Sequence, residues 1–282
     1  MSRDPDHTCY NGVTGDNLTR TPQQPNIATA PLAVSVPSAG GLGFLAGVCD
    51  VSSLESNLEK AAQLIKQSNP AIQQVYAASG ILPIGVGFLN WGADLAKFIA
   101  AIAKIPDDLC PCVEQVRAVT DGKTTIWVQV GTVSEEVAVA ESLDPDVLVV
   151  KGSDAGGHGL AKSAYIITLV PEVKDALGAR QLSDHIPLIT AGGIVDGRGV
   201  AASLALGASD EVLPAFDGDV STIRSTVYDR VRGILGWPSR YDRRGVINQS
   251  YIYALERDIS DEENKALYEE ELKNGVGMGP KC

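Results

Sequence analysis

Short, continuously apolar runs alternating with helix-patterned stretches constrain this chain more than any other feature. Runs at 41–47, 83–88, 125–130, 147–151 and 187–191 carry apolar residues at successive positions, not at every second one. Such runs read as strands buried on both faces. Between them lie stretches with helical spacing. Over Ser53 to Ser68, Leu54, Leu58, Ala61, Ala62 and Ile65 fall on one face, and Ser53 is placed as the N-cap. Further helices are expected over 94–105, 110–119, 134–143, 171–177 and 196–206. Asn26 to Val36 is apolar and fits either a strand or a helix. Buried strands joined by helices imply a parallel sheet covered by those helices. Two architectures satisfy this, an eight-fold βα barrel and an open doubly wound sheet.

A chain of 282 residues with 44% hydrophobic content can bury a sizeable core. Residues 1–25 are rich in Pro, Asn, Asp, Thr and Gly and read as a flexible N-terminal arm. Residues 26–216 carry the strand–helix alternation and form the α/β domain. From 217 to 282 Tyr, Arg and Asp take over, with too few apolar residues for a separate core. That stretch reads as a C-terminal helical extension of the same domain, ending in a charged helix over 261–274.

Formal net charge is −12. General binding to a nucleic-acid backbone needs a basic surface, so nucleic acid is excluded as a partner. No apolar run reaches the length of a membrane span, and residues 1–20 lack the apolar core of a signal peptide. A cytoplasmic location is expected. The five cysteines are irregularly spaced, and Cys110-Pro111-Cys112 is too tight for a zinc Cys-x-x-Cys pair. Ordinary reduced thiols and no metal site are expected.

Two glycine-rich segments follow strands. The first is Gly152-Ser153-Asp154-Ala155-Gly156-Gly157-His158-Gly159, directly after the strand 147–151. Four glycines in eight residues let a ligand approach the backbone closely, and His158 supplies one titratable base. Asp154 reads as a local Asx cap. The second is Thr190-Ala191-Gly192-Gly193-Ile194, followed by Asp196-Gly197-Arg198-Gly199 opening a helix. Backbone N–H groups at a strand end and a helix start suit a phosphate. His185 precedes its strand and so lies on the face that serves stability. His7 lies in the arm.

These segments, with Ala39-Gly40-Gly41-Leu42-Gly43-Phe44 and Trp127-Val128-Gln129-Val130-Gly131, resemble the nitronate monooxygenases, FMN-dependent (β/α)8 barrels formerly called 2-nitropropane dioxygenases. The resemblance covers most of 38–209, and the tail is similar to that of fungal-type members. It implies oxidation of nitronates or nitroalkanes with O2 to carbonyl compounds and nitrite, using FMN. It implies that His158 is the catalytic base. Gly192 and Gly193 would hold the FMN phosphate, Gly152, Gly156 and Gly157 would line the cofactor, and Gln129 would lie near the flavin ring. A reductase of a quinone or enoyl substrate that uses NAD(P)H and FMN is the alternative enzyme. A non-catalytic remnant of the family is the alternative outside enzymology.

The resemblance also has gaps. Ala30-Pro31-Leu32 is the nearest text to the Ala-Pro-Met end of the family's first strand. Between Lys104 and Val113 no apolar run stands for the fourth strand. After Gly207-Ala208-Ser209 the chain passes to Asp210-Glu211-Val212-Leu213 without the family's Gly-Thr pair. The expected architecture is therefore derived from the TIM barrel and incomplete or distorted, with segments matching strands 1, 4 and 8 lost.

Overall fold

A computed structural model describes residues 13–15, 29–48, 53–88, 109–182, 185–194, 196–212, 222–232, 237, 239–256 and 259–274. The chain divides into two compact units. The first runs to Gln129 and also takes Ala138–Val147, and the second takes Val130–Val137 and Leu148–Cys282. The helix expected over 94–105 lies outside the described residues.

The first unit holds a parallel sheet of β1 (Val13–Gly15), β2 (Phe44–Val48) and β3 (Gly85–Phe88), in the order β1-β3-β2. Val13 pairs with Val86, and Phe44 pairs with Gly85. The stretch read as an arm thus contributes a strand. The ambiguous segment resolves as a helix, α1 (Ala30–Ser38), with Pro31 in its first turn, where a missing N–H costs nothing. Helix α2 (Leu54–Ile65) follows Ser53 and buries Leu54, Ala61 and Ile65. These side chains join Ala33, Leu45, Ile84, Val86, Val116 and Ile126 in one core.

Helix α3 (Pro70–Ser79) is absent from the sequence reading, yet its ends are plainly marked. The Asn69 side chain accepts from the Ile72 N–H, Pro70 opens the first turn, and Gly80 closes the helix at φ +70°. Helix α4 (Leu109–Val119) carries Cys110 and Cys112, and β4 (Trp127–Val130) follows it.

Helix α5 (Val133–Leu143) leads to β5 (Val147–Lys151), whose five residues are all buried. In the second unit β5 pairs in parallel with β7 (Leu188–Ala191), and β7 pairs with β8 (Asp210–Val212). Helix α6 (Ile166–Gly178) buries Ile166, Leu169, Val170, Val173 and Leu177. It begins five residues before Pro171, the start read from the sequence. Helix α7 (Gly197–Ala205) sits between β7 and β8. Gly207, at φ +104°, turns the chain back, and the Ser209 N–H donates to the Leu188 carbonyl. A parallel strand, β8, thus takes the place beside β7. A polar run can fill it because an edge strand needs backbone pairing more than apolar side chains.

A separate antiparallel sheet joins β6 (Gly157–Leu160), β10 (Tyr241–Val246) and β9 (Thr222–Ser225), in the order β6-β10-β9. Short helix α8 (Val227–Val231), α9 (Gln249–Glu256) and α10 (Asp261–Lys273) complete the unit. Val231, Ala254 and Tyr268 form their shared apolar contact. The buried Glu271 carboxylate accepts from the Asn248 side chain, the Ser250 hydroxyl and the Gln249 N–H. Helix α10 starts in a full capping box between Ser260 and Glu263. Among the described residues the strands thus fall in more than one sheet.

Candidate functional site

The two glycine segments pack directly against each other. The Gly152 N–H donates to the Ala191 carbonyl (2.9 Å), which carries the β5–β7 ladder one residue past the strand. The Ala155 N–H then donates back to the Gly152 carbonyl (3.1 Å), closing a tight turn. Gly192 and Gly193 lie opposite this turn at φ +103° and +72°, where L side chains are strained. A Cβ on Gly192 would stand 2.6 Å from that of Ala155, and one on Gly193 would stand 2.3 Å from an oxygen of Asp154. Both positions need glycine for backbone conformation and for close approach. At Gly156 a Cβ would meet nothing within 4 Å.

The turn is held from the C-terminal sheet. Arg224 donates to the carbonyls of Ser153 and Ala155, and Arg244 donates twice to that of Ser153. Arg224 is in turn fixed by the Asp242 carboxylate. Asp154 Oδ1 is buried with no hydrogen-bond partner among the described residues, while its carboxylate keeps a local backbone hydrogen bond of the kind expected of an Asx residue. Burial raises its carboxyl above the ordinary value of 3.8, against a backbone hydrogen bond and the charge of Arg244.

The second half of the first segment is a strand, not a loop. Residues 157–160 pair antiparallel with β10, and His158 stands opposite Arg243. Directly paired residues share a face of the sheet. The His158 side chain is completely buried. Its Nε2 lies 2.8 Å from Asp229 Oδ1, and its ring stacks on Trp237. Its Nδ1 is buried with no hydrogen-bond partner among the described residues. The buried Lys151 ammonium donates to the His158 carbonyl. Burial pulls the imidazole below its ordinary value of 6.5, opposed by the hydrogen bond and charge of Asp229 and aided by Arg243 and Lys151. The neutral imidazole therefore prevails at neutral pH.

Comparison with known proteins gives the family. A family model described as nitronate monooxygenase matches residues 99–213. Nitronate monooxygenase npaC of Metarhizium robertsii is 39% identical over 295 aligned residues, spanning 90% of this chain and 79% of the relative. This chain belongs to the nitronate monooxygenase family. The nitronate monooxygenase of Neurospora crassa is 28% identical, over 88% of this chain and 78% of its own length. In fold the chain is similar to nitroalkane oxidase from Streptomyces ansochromogenes, with a TM-score of 0.57 at 20% identity, covering 97% of this chain and 88% of that one. That likeness agrees with the barrel-derived α/β class expected from the sequence.

Within this nitronate monooxygenase family member, His158, Gly152, Gly156, Gly157, Gly192 and Gly193 all belong to the second unit. Gln129 lies on β4 in the first, with its Oε1 buried and no hydrogen-bond partner among the described residues. Gly193 is exposed at the end of β7, and His185 is exposed before that strand's start. Asp196 caps α7 by accepting from the Arg198 N–H (2.8 Å), and the Arg198 guanidinium holds its carboxyl down at about 2.

Asp229, Trp237, Arg224, Arg243 and Arg244 escaped the sequence reading. Strand β10 runs Tyr-Asp-Arg-Arg-Gly-Val, which has neither apolar alternation nor an apolar run to mark it. Among the described residues no group of three or more His, Cys, Asp or Glu is placed to hold a metal ion. No helix among them is long and apolar enough to cross a membrane.

Proposed function

We propose that this protein is an FMN-dependent nitronate monooxygenase that oxidises nitronates and nitroalkanes with O2 to carbonyl compounds and nitrite, with His158 as its general base. The observation that carries this reading is the state of one imidazole. It is buried, one ring nitrogen engages Asp229, and the other has no hydrogen-bond partner among the described residues, while burial draws its pKa down and so favours the neutral form. A nitroalkane is a carbon acid, and a neutral imidazole suits removal of its α-proton near pH 7.

The glycine segments fit a phosphate-bearing flavin at two points. Gly193 is exposed, with positive φ, between the end of β7 and the start of α7, so backbone N–H groups are available to a phosphate. Gly156 is exposed and unobstructed, so a flat ring can approach its backbone. Asp154 beside Gly193 opposes an anion, and its raised carboxyl value weakens that opposition. Gly192 and Gly193 would hold the phosphate, Gly152, Gly156 and Gly157 would line the cofactor, and Gln129 would stand near the ring. Bound FMN would supply the one-electron chemistry between nitronate and O2. The chain's own part is to enclose the substrate, exclude water and take the proton at His158.

The test is flavin content and substrate choice. Purified protein should release FMN on denaturation, and O2 uptake with nitrite formation should follow addition of a nitronate. Anaerobic bleaching of the flavin by NADH, with none by nitronate, would replace this reading with a reductase. Absence of flavin after reconstitution with FMN would remove it.

A further inference from the structure

We propose that Asp229 is a positioning residue that fixes the tautomer of His158, keeping the ring proton on Nε2 and presenting the Nδ1 lone pair as the base. This inference rests on His158 being the base under the function proposed above. The geometry that carries it joins three elements of the second unit. His158 stands on β6, Asp229 on the short helix α8 and Trp237 beyond it.

Asp229 Oδ1 lies 2.8 Å from His158 Nε2, and the His158 side chain is 0% exposed. A carboxylate oxygen only accepts, so the shared proton is carried by Nε2. Water does not compete for the contact, because both side chains are buried. Trp237 lies parallel to the imidazole and restrains its tilt, so the ring cannot turn without breaking both contacts. Nδ1 is then the basic atom, and it is a buried acceptor with no protein donor among the described residues. A buried polar atom left without a partner is costly and calls for a functional account. A substrate C–H supplies one.

The charge balance closes. The α-C–H bond breaks, its electron pair becomes the C=N bond of the nitronate as the negative charge moves onto the nitro oxygens, and the proton goes to Nδ1. The imidazolium formed has N–H on both nitrogens and keeps its bond to Asp229. Of the charged groups that act on the ring, Arg243 from β10 and Lys151 from β5 both disfavour the imidazolium. Asp229 alone among the three favours it, so its removal affects the charged ring more than the neutral one.

The experiment is nitrogen NMR of the protein labelled at histidine, with the His158 signals assigned by their loss in His158→Gln. The chain has three histidines, so assignment by difference is direct. Wild-type protein should show a protonated Nε2 and an unprotonated Nδ1 at His158 at neutral pH. Asp229→Asn can offer an amide N–H to Nε2 and should invert the pattern, as an Asn does when it replaces the orienting Asp of a hydrolase triad. It should lower kcat/KM for a neutral nitroalkane by about 10²–10⁴-fold and that for the pre-formed nitronate by less. Asp229→Glu retains a carboxylate acceptor and should restore the Nε2–H form.

A wild-type His158 protonated at Nδ1 would overturn the proposal on its own, without any variant. So would a folded Asp229→Asn that keeps the wild-type tautomer. A protein with the expected tautomer and its inversion that turns over neither substrate supports the positioning role and overturns the proposed activity. The two readings therefore fail separately.

Discussion

The indole of Trp237 covers one face of the His158 imidazole, with ring centres 3.6 Å apart and planes 9° from parallel. The stacked indole adds to the burial that disfavours the charged imidazole, because the cation loses hydration on that face, a loss that outweighs the attraction of the cation to the indole face. Trp237→Ala should let water reach the ring and move its pKa up toward 6.5. The base is active when neutral. The acid limb of the nitroalkane rate profile should therefore lie below pH 6.5 in the wild type and shift to higher pH in the variant. Steady-state rates across that range check this, and an unmoved limb would show that Trp237 does not govern solvation of the ring.

Stability should carry the same signature. The unfolded chain binds a proton at His158 on acidification, and the native state resists it. The contribution of this residue to stability therefore falls as pH drops below 6.5, and the fall ends at the lower native value. His158→Asn should flatten that part of the profile in urea titrations at stepped pH. The same variant should retain flavin and lose about 10²–10⁴-fold in nitroalkane turnover, with a smaller loss for nitronates, which have already given up the proton. Equal losses for both substrates would remove the general-base role.

Glu136 lies buried on α5 with neither carboxylate oxygen hydrogen-bonded among the described residues, and burial pushes its pKa from 4.5 up to about 8. The native state keeps a proton there that the unfolded chain releases from pH 4.5 upward. Its favourable contribution is complete below 4.5 and is lost as pH rises through 8. Glu136→Gln removes that dependence. The variant should match the wild type at acid pH and exceed it at pH 9 by on the order of a few kcal/mol. Denaturant midpoints at the two ends of the range measure it.

Gly192→Ala should be more damaging than a single methyl suggests. The φ of +103° is strained for any L residue, and the new Cβ would stand 2.6 Å from Ala155. A loss of about 2–4 kcal/mol follows from strain and overpacking together. Flavin retention measured below the midpoint of unfolding separates this packing role from phosphate binding. A folded variant with unchanged cofactor affinity would leave glycine at 192 explained by packing alone.

In the C-terminal helices, Glu271→Ala should strand the donors of Asn248, Gln249 and Ser250 in a buried site. A loss of roughly 3–5 kcal/mol is expected for breaking such a network. Thermal unfolding would report it. A shift no larger than that of Ser260→Ala, which removes one exposed cap at about 1 kcal/mol, would show that the network is dispensable.

The apolar strands were legible in the sequence because burial on both faces leaves an uninterrupted mark. All five reappear within a few residues of where composition places them. Helix α3 carries its end signals in Asn69, Pro70 and Gly80, but none of its residues is buried and its face is too weakly apolar to mark it. Strands β6, β9 and β10 were not legible. They are held by backbone pairing and arginine hydrogen bonds, and neither leaves periodicity in the side chains. The glycine–histidine motif pointed to His158. The Nε2 contact spans 71 residues of chain to Asp229, and no local spacing encodes so distant a partner.

The grip of Arg224 and Arg244 on the turn at Ser153 bears on how relatives of this chain are sorted. The family model ends at residue 213, ahead of both arginines, Asp229 and Trp237. Two sequences can share the motif in full and differ in whether its imidazole has a carboxylate, an aromatic cover and an anchored turn. Ranking by the motif would merge them. Ranking by an aspartate and a tryptophan downstream, with arginines on the strands flanking them, would separate chains that build the enclosed histidine from chains that only carry its letters.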